Sequence, residues 1–411
     1  MITLEEKRTK DLRALIVRFA IIIASSTIIG SLILVLVYTI PDKAIEDNVR
    51  YSKEIIDKEA EETGWPRFFS YAWATHLDDC SDQRMLSDII KDDTGSTVKA
   101  AFSVYSRYWN GYMAILRPAM IVLNYPQMRF FFWGMLFIGE WELGLQLYSN
   151  LGKGVSFSMV IALLYTNFIL VPFNFLISFF MLIAVYGSIW VLRYYTRDIK
   201  RIDILTFLMI YAVVDAYFDM PINAPALVLS LPLSVLILLN TIRYGRVGIR
   251  DNLHMIFQCS ASWGISLIVF WIMKWIIGSC ILHENIFSDV LNEANRWTVE
   301  KKDYNFLSAT AKNIAALLPS NGEKVESVVF LHVVCIAIMV LIFIVKRCRL
   351  DGSKRFLPLI LIASFPFMWF FIMPQHSGVH ATLYSYRSLL LPIFIFLSIY
   401  FYYFDKSGTT Q

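Results

Sequence analysis

Long apolar runs, separated by short charged stretches, dominate the pattern of this 411-residue chain. A helix that crosses the hydrocarbon core of a bilayer needs about 20 apolar residues. Runs of that length predict an all-α bundle with about ten spanning helices. The predicted spans are residues 19–40, 128–148, 155–171, 174–192, 203–219, 224–242, 255–278, 328–345, 356–373 and 388–404.

One apolar stretch, 155–192, is too long for a single span and carries Pro172 and Asn174 in its middle. Proline removes a backbone donor and interrupts a helix, and asparagine favours helix starts and turns. The stretch therefore predicts two short helices joined by a tight turn.

Lys and Arg side chains cluster in alternate connections, at 193–202, 243–254 and 346–355. Cytoplasmic loops carry such an excess of positive charge. The first apolar run is too long for the apolar core of a cleavable signal peptide, and a basic segment precedes it. Together these features predict a signal anchor. The pattern predicts a multi-pass protein of the cell (cytoplasmic) membrane with both termini in the cytoplasm.

The same orientation places two long segments, 41–127 and 279–327, on the outer side of a single transmembrane domain formed by residues 1–411. Within the first segment, 102–124 mixes aromatic, apolar and basic residues and predicts a helix lying in the membrane interface, ended or kinked near Pro118.

Composition narrows the class of protein. Hydrophobic residues make up 57% of the chain and charged residues 17%. The hydrophobic share exceeds that of ordinary soluble domains. The net charge of +4 is small and forms no basic stripe, so nucleic acid is not an expected partner. Membrane lipids are the expected partners instead.

Three carboxylates, Asp78, Asp79 and Asp82, lie close together in the first outer segment, in the sequence THLDDCSDQRML. Like charges repel, so such a cluster occurs in solvent or around a base or metal function. A solvated acidic turn is one interpretation. A catalytic role is the other, because the cluster lies between a membrane anchor and an interfacial segment, where a lipid-linked substrate would arrive.

The next motif, YSRYWNGYMAILRP, places Arg107, Tyr108, Trp109 and Arg117 close together in the chain. Aromatic faces stack on sugars and acyl chains, and guanidinium groups bind phosphate oxygens in pairs. These residues are candidates for substrate binding. An aromatic belt with snorkelling arginines is the alternative.

Asp215 and Asp219 lie four residues apart at the outer end of the fifth predicted span, so they share one helical face. Ionisable residues in a span are costly and usually functional. Both are candidate substrate-binding residues, although Asp219 is close enough to the end of the span to be interfacial.

Further candidates for substrate binding are His376, His380 and Arg387 near the last outer connection, and Arg296 in the second outer segment. With Arg107 and Arg117, the arginines Arg296 and Arg387 are the candidates for binding phosphate. An HxxxH pair on a helix can bind a metal, but Gly378 argues against a regular helix. No metal ligand is assigned, and a divalent cation stays open as a cofactor. Phosphate or substrate binding by one histidine and Arg387 is favoured.

The DDCSDQRML, YSRYWNGYMAILRP, YFDMP and HSGVHATLYSYR segments, with this topology, resemble the GT-C superfamily of membrane glycosyltransferases, through uncharacterised bacterial members. The resemblance implies an inverting enzyme that uses a polyprenyl-phosphate sugar donor and a glycan, lipid or protein acceptor. It also implies a catalytic carboxylate in the first outer loop, with Asp82 preferred over Asp79 and Asp78. No adjacent Asp-Glu pair occurs there, in contrast to the family pattern.

Other function classes stay open. A lipid-linked glycan flippase or transporter would use ionisable groups within spans, such as Lys274, Glu140 and Glu142. A glycan polymerase or ligase typically has its largest outer loop late in the chain, whereas the larger one here comes first. A non-enzymatic assembly scaffold is the third alternative.

Overall fold

The computed structural model describes residues 4–63, 80–90, 95–196, 198–218, 224–245, 247–300, 303–318 and 353–408. Within these ranges the chain forms 17 α-helices and no strand, which confirms the predicted all-α fold.

The helices before the middle of the chain are α1 (Leu4–Val37), α2 (Glu46–Thr63), α3 (Cys80–Asp88), α4 (Thr97–Ser103), α5 (Met113–Ala119), α6 (Tyr125–Leu151), α7 (Lys153–Tyr165), α8 (Phe175–Tyr194) and α9 (Arg201–Phe218). Those that follow are α10 (Ser230–Leu238), α11 (Ile249–Leu282), α12 (Ile286–Asn295), α13 (Phe306–Ala316), α14 (Leu357–Ala363), α15 (Phe365–Ile372), α16 (Pro374–Val379) and α17 (Leu390–Gly408).

Six helical segments of the described chain are long and apolar enough to cross a membrane, which makes this a multi-pass membrane protein. They are Thr9–Val37, Phe175–Tyr194, Ala226–Arg243, Ile249–Leu282, Lys354–Ile372 and Ser385–Tyr403. The predicted spans at α6 and α9 are helical but carry ionisable side chains, and α7 has 13 residues. The predicted span 328–345 lies outside the described residues.

The segments differ in how deeply they pack. In the most apolar 18 residues of Ala226–Arg243, 89% of the stretch is buried, and the corresponding share for Phe175–Tyr194 is 83%. These two segments therefore form the centre of the bundle. Thr9–Val37 is only 28% buried, and its outward side chains are apolar. A helix with an exposed apolar face requires an apolar solvent, which the bilayer supplies.

The long apolar stretch breaks where the sequence predicts. The helix α7 ends at Tyr165, a 3-10 turn covers Phe168–Phe173, and α8 begins at Phe175. Asn174 caps α8, because its side-chain oxygen accepts a hydrogen bond from the Ile177 N–H at 3.0 Å.

The predicted interfacial helix at 102–124 is instead two short helices, α4 and α5, separated by a loop. The loop contains left-handed Asn110, with φ of 53°, a conformation that asparagine tolerates. It is held down by the Gly111 N–H, which donates to the Tyr217 carbonyl at 2.7 Å. A Cβ at Gly111 would lie 2.2 Å from the Tyr217 ring, so this close approach requires glycine.

Ion pairs join helices at the end of the bundle that the sequence places in the cytoplasm. Arg18 contacts Asp203 at 2.7 Å, and Arg193 contacts Glu142 at 2.6 Å. Glu142 is therefore part of a partly exposed ion pair rather than a lone carboxylate within the bundle, which weakens its support for a transporter.

Candidate functional site

A cavity of about 650 Å³ lies at the opposite end of the bundle, where α8 begins and α11 ends. It gathers side chains from both long segments that the sequence places outside, and from the last connection. The lining residues are Ser81, Arg84, Tyr105, Arg107, Tyr108, Asn174, Leu176, Ile177, Trp271, Trp275, Val290, Glu293, Ala294, Trp297, Trp369, Met373, His376, His380, Leu383 and Tyr384.

Aromatic rings form a large part of the cavity wall. Four tryptophans and three tyrosines line it, and the Tyr105 and Tyr108 rings stack at 5.6 Å. The Trp275 indole N–H donates to the Arg107 carbonyl at 2.8 Å, which fixes the ring against the loop between α4 and α5. Rigid aromatic faces of this kind suit the C–H surfaces of a sugar ring.

His376 and His380 lie side by side in the cavity, with ring centroids 4.8 Å apart. The Tyr384 hydroxyl is 3.3 Å from His376 Nε2, and the Trp297 ring lies 5.3 Å from the His376 ring. Burial, and secondarily the neighbouring His380, lower the pKa of His376 to about 3. His376 is therefore neutral at physiological pH and offers one donor and one acceptor.

His376 lies on the short helix α16 and His380 directly follows its last residue, and the second outer segment covers this helix. Although Gly378 predicts an irregular backbone, α16 continues through it to Val379. Glycine is needed there because the Tyr304 ring packs on it, and a Cβ would lie 2.2 Å from that ring. The Asn313 amide also donates to the Ser377 carbonyl at 2.9 Å, which joins α13 to α16.

Arg107 lines the cavity but is already paired. Its guanidinium donates to both carboxylate oxygens of Asp289, at 3.0 and 2.9 Å, and lies 3.9 Å from Glu293. Glu293 also accepts a hydrogen bond from the Trp297 indole at 2.8 Å. The Arg107 charge is thus balanced by acids of the second outer segment.

Arg84 is the second cavity arginine, and sequence reasoning did not select it as a site residue. Its guanidinium stacks on the Tyr105 ring at 4.1 Å, and its ion pair with Asp88 is long, at 4.0 Å. Since the Arg84 side chain is 60% exposed, its charge is available to an anion in the cavity.

Asp82 is fully buried and does not itself line the cavity, but its chain neighbour Ser81 does, as does Leu176, the neighbour of its partner Phe175. Its Oδ2 accepts hydrogen bonds from the Phe175 N–H at 2.7 Å and the Tyr125 hydroxyl at 2.8 Å. Oδ1 has no hydrogen-bond partner among the described residues. Burial raises the pKa of Asp82 to about 6, although these hydrogen bonds and Arg129 oppose the shift.

A polar network holds Asp82 from behind. The Arg129 guanidinium donates to the Tyr125 hydroxyl at 3.1 Å and forms a bidentate pair with Glu59, at 2.8 and 2.9 Å. The network connects α2, α3 and α6 at the start of α8. Sequence reasoning missed Tyr125, Arg129 and Glu59, although an arginine at the start of a predicted span is a usable signal.

Other predicted residues serve the packing of the fold. Trp109 is buried, stacks on the Phe270 ring at 4.5 Å and donates to the Phe270 carbonyl at 3.0 Å. Arg117 is also fully buried, away from the cavity, where its guanidinium binds the carbonyls of Val37, Ile40 and Ile89 and the carboxylate of Asp42.

The remaining predicted residues lie apart from the cavity lining. Arg296 is half exposed and lies 3.8 Å from Glu293. Arg387 is buried against the Tyr386 ring at 4.8 Å, and its Nε and Nη1 have no partner in the described part of the chain. Of the four arginines predicted to bind phosphate, Arg107 is the one that lines the cavity.

Asp215 is fully buried on α9, and neither carboxylate oxygen has a hydrogen-bond partner within the described ranges. Asp78, Asp79 and Asp219 lie outside the described residues, so their predicted roles stay predictions. No group of three potential metal ligands occurs in the part of the chain that the structure describes.

A separate apolar groove of about 680 Å³ runs along the exposed face of α6, near the start of that helix. It is lined by Leu123, Pro126, Gln127, Phe130, Phe131, Gly134, Met135 and Ile138. The same helix carries Tyr125 and Arg129 on its opposite, inward side. An exposed apolar groove suits a hydrocarbon chain.

Comparisons with models of known families, with curated proteins and with solved structures find no match for this chain.

Proposed function

We propose that this protein is an inverting membrane glycosyltransferase of the GT-C type, with about ten spans and both termini in the cytoplasm. It transfers a sugar from a polyprenyl-phosphate donor to an extracytoplasmic glycan, lipid or protein acceptor. The observation that carries the proposal is the aromatic cavity, where Arg84, His376 and His380 converge beside buried Asp82.

Each part of the donor has a matching surface. The tryptophan and tyrosine faces suit the sugar, and Arg84 suits the phosphate because its charge is only weakly paired. The groove on α6 suits the polyprenyl chain. A flippase would also bind this lipid, but moving the lipid between leaflets requires no base. The Asp82 carboxylate has one oxygen without a hydrogen-bond partner among the described residues, as a base requires.

The reaction needs a base for the acceptor and stabilisation of the leaving group. The acceptor hydroxyl oxygen attacks the anomeric carbon from the face opposite the phosphate, and Oδ1 of Asp82 takes the proton of that hydroxyl. The bond from the anomeric carbon to the phosphate oxygen breaks, and its electron pair leaves with the polyprenyl phosphate. Arg84 stabilises that charge. Because Asp82 does not itself line the cavity, substrate binding must expose Oδ1 between Ser81 and Leu176.

Sugar transfer decides between the proposed enzyme and the alternatives. The purified protein in liposomes is given radiolabelled polyprenyl-phosphate hexoses and membranes that contain endogenous acceptors, and labelled product is measured. We expect label to leave the lipid only with active protein. Movement of the intact lipid between leaflets, without transfer, would support a flippase. Neither transfer nor movement with any donor would support a scaffold.

Arg84→Ala is expected to lower the transfer rate by about 10- to 100-fold, since a charge-assisted contact with phosphate contributes roughly 1.5–3 kcal/mol. Arg50→Ala is the matched control, because Arg50 is also an exposed arginine of the first outer segment but pairs with Asp47 away from the cavity. Equal transfer rates for both variants would remove Arg84 from phosphate binding.

The transfer rate is expected to depend on pH through Asp82. A base must be ionised, so the rate should fall about tenfold per pH unit below the Asp82 pKa of about 6. The Tyr125 hydrogen bond favours the ionised form, so Tyr125→Phe should move this acid limb to higher pH. Tyr148→Phe, at an exposed position on the same helix, should not move it. An unchanged limb in Tyr125→Phe would contradict the assignment.

A further inference from the structure

The helix α12 forms one wall of the cavity, with Val290, Glu293 and Ala294 facing inward. Its two ends have irregular backbone. His283, which precedes α12, is left-handed with φ of 59°, and a π-helical turn over Arg296–Glu300 follows it. Such element ends absorb the dihedral changes of a hinge.

The beginning of α12 is the firmly attached end. Ile286 is buried and packs so closely on Gly278 that a Cβ there would lie 2.5 Å from the isoleucine. Phe287 also makes an edge contact with Trp275, with centroids 5.6 Å apart. A movement of α12 would therefore pivot about this apolar end.

Further along, α12 is joined to the loop between α4 and α5 by Arg107, and Trp297 just after the helix packs on His376 and His380. The Arg107 guanidinium donates to both carboxylate oxygens of Asp289. Glu293, one turn further along the helix, lies 3.9 Å from the same guanidinium. The Asp289 side chain is 48% exposed, and ion pairs that solvent reaches are weak and screened by salt. Salt or an added anion can therefore weaken this attachment, whereas the apolar contacts of Ile286 and Phe287 do not depend on salt.

We propose that α12 is a lid over the cavity, and that Arg107 with Asp289 and Glu293 is a latch that an anionic ligand releases. Arg107 Nε is buried and has no hydrogen-bond partner among the described residues. Arg107 lines the cavity, so an anion bound there competes with Asp289 for the guanidinium charge. The lid goes beyond the proposed transfer reaction and does not depend on it.

Thiol accessibility tests the latch without any sugar substrate. Ser81→Cys, which lines the cavity, is placed in the full chain with the native cysteines replaced, and its alkylation rate by a membrane-impermeant maleimide is measured at low ionic strength. Asp289→Asn should raise the rate about three- to fivefold, as expected for loss of a weak ion pair. Glu284→Gln, at an exposed acid just before α12, is the matched control and should not change it.

A charge exchange separates an opened lid from a damaged one. In a Glu293→Gln background, which removes the second acid of the latch, Arg107→Asp combined with Asp289→Arg should restore slow alkylation, whereas either change alone should give fast alkylation. In the protein with the native latch, sodium phosphate should speed alkylation more than sodium chloride at equal ionic strength. Unchanged alkylation in Asp289→Asn, or fast alkylation in the exchanged pair, would overturn the lid. Equal effects of the two salts would overturn release by the ligand.

Discussion

Asp82→Asn is expected to lower the transfer rate by about 10²–10⁴-fold, the contribution of a general base. The variant should insert into the membrane and fold normally. Asn keeps an oxygen that accepts from the Phe175 N–H and the Tyr125 hydroxyl, and it removes the cost of burying a charge. Packing alone would therefore accept asparagine at position 82. The presence of a buried acid there instead indicates a functional role.

The measurement is the transfer rate per folded protein for Asp82→Asn, Asp79→Asn and Asp78→Asn, with thermal stability determined in the same detergent. Asp57→Asn is the matched control, since Asp57 is an exposed acid that accepts a hydrogen bond from Gln83, the neighbour of Asp82. Full activity in all three site variants would remove the carboxylates of the first outer segment from the mechanism and direct attention to Asp215 and Asp219. Low stability with normal activity per folded protein would make Asp82 a structural cap of α8.

Arg117→Ala is expected to reduce the yield of folded protein and its thermal stability strongly. The fully buried guanidinium is a donor to three backbone carbonyls near the end of α1 and after α3, and it lies 4.5 Å from the Tyr38 ring. The Ile40 and Ile89 carbonyls each lose their hydrogen bond at a cost of about 1–3 kcal/mol, whereas the Val37 carbonyl still accepts from the Ile40 N–H at 3.3 Å. The total is still a large share of the stability of a domain. The partly exposed Asp42 adds less.

Arg296→Ala is the matched control for this loss, because the sequence marks both arginines as phosphate candidates while Arg296 is half exposed. Melting temperature and yield in detergent are measured for both variants. We expect Arg296→Ala to match the unmodified protein. A normal melting temperature in Arg117→Ala together with lost transfer would make Arg117 a phosphate contact, as the sequence predicts, and not a structural residue.

The break before α8 and the all-α membrane fold follow from the sequence because they depend on local properties. Apolar runs require the bilayer whatever packs beside them, and Pro172 and Asn174 end one helix and start the next through their own backbone chemistry. The same local reasoning placed Arg107, Tyr108, His376 and His380 in candidate binding motifs, and all four line the cavity.

Tertiary structure alone decided what each ionisable or aromatic side chain contacts. The YSRYWNGYMAILRP motif contains Arg107 in the cavity, Trp109 on Phe270, and Arg117 on the carbonyls beyond α1. Its sequence does not separate these roles, because the left-handed turn at Asn110 and the contact of Gly111 with Tyr217 set the direction of each side chain. Likewise Asp82 is surrounded by partners 43 and 93 residues away in the chain, and only the packing of α3 against α6 and α8 brings them together.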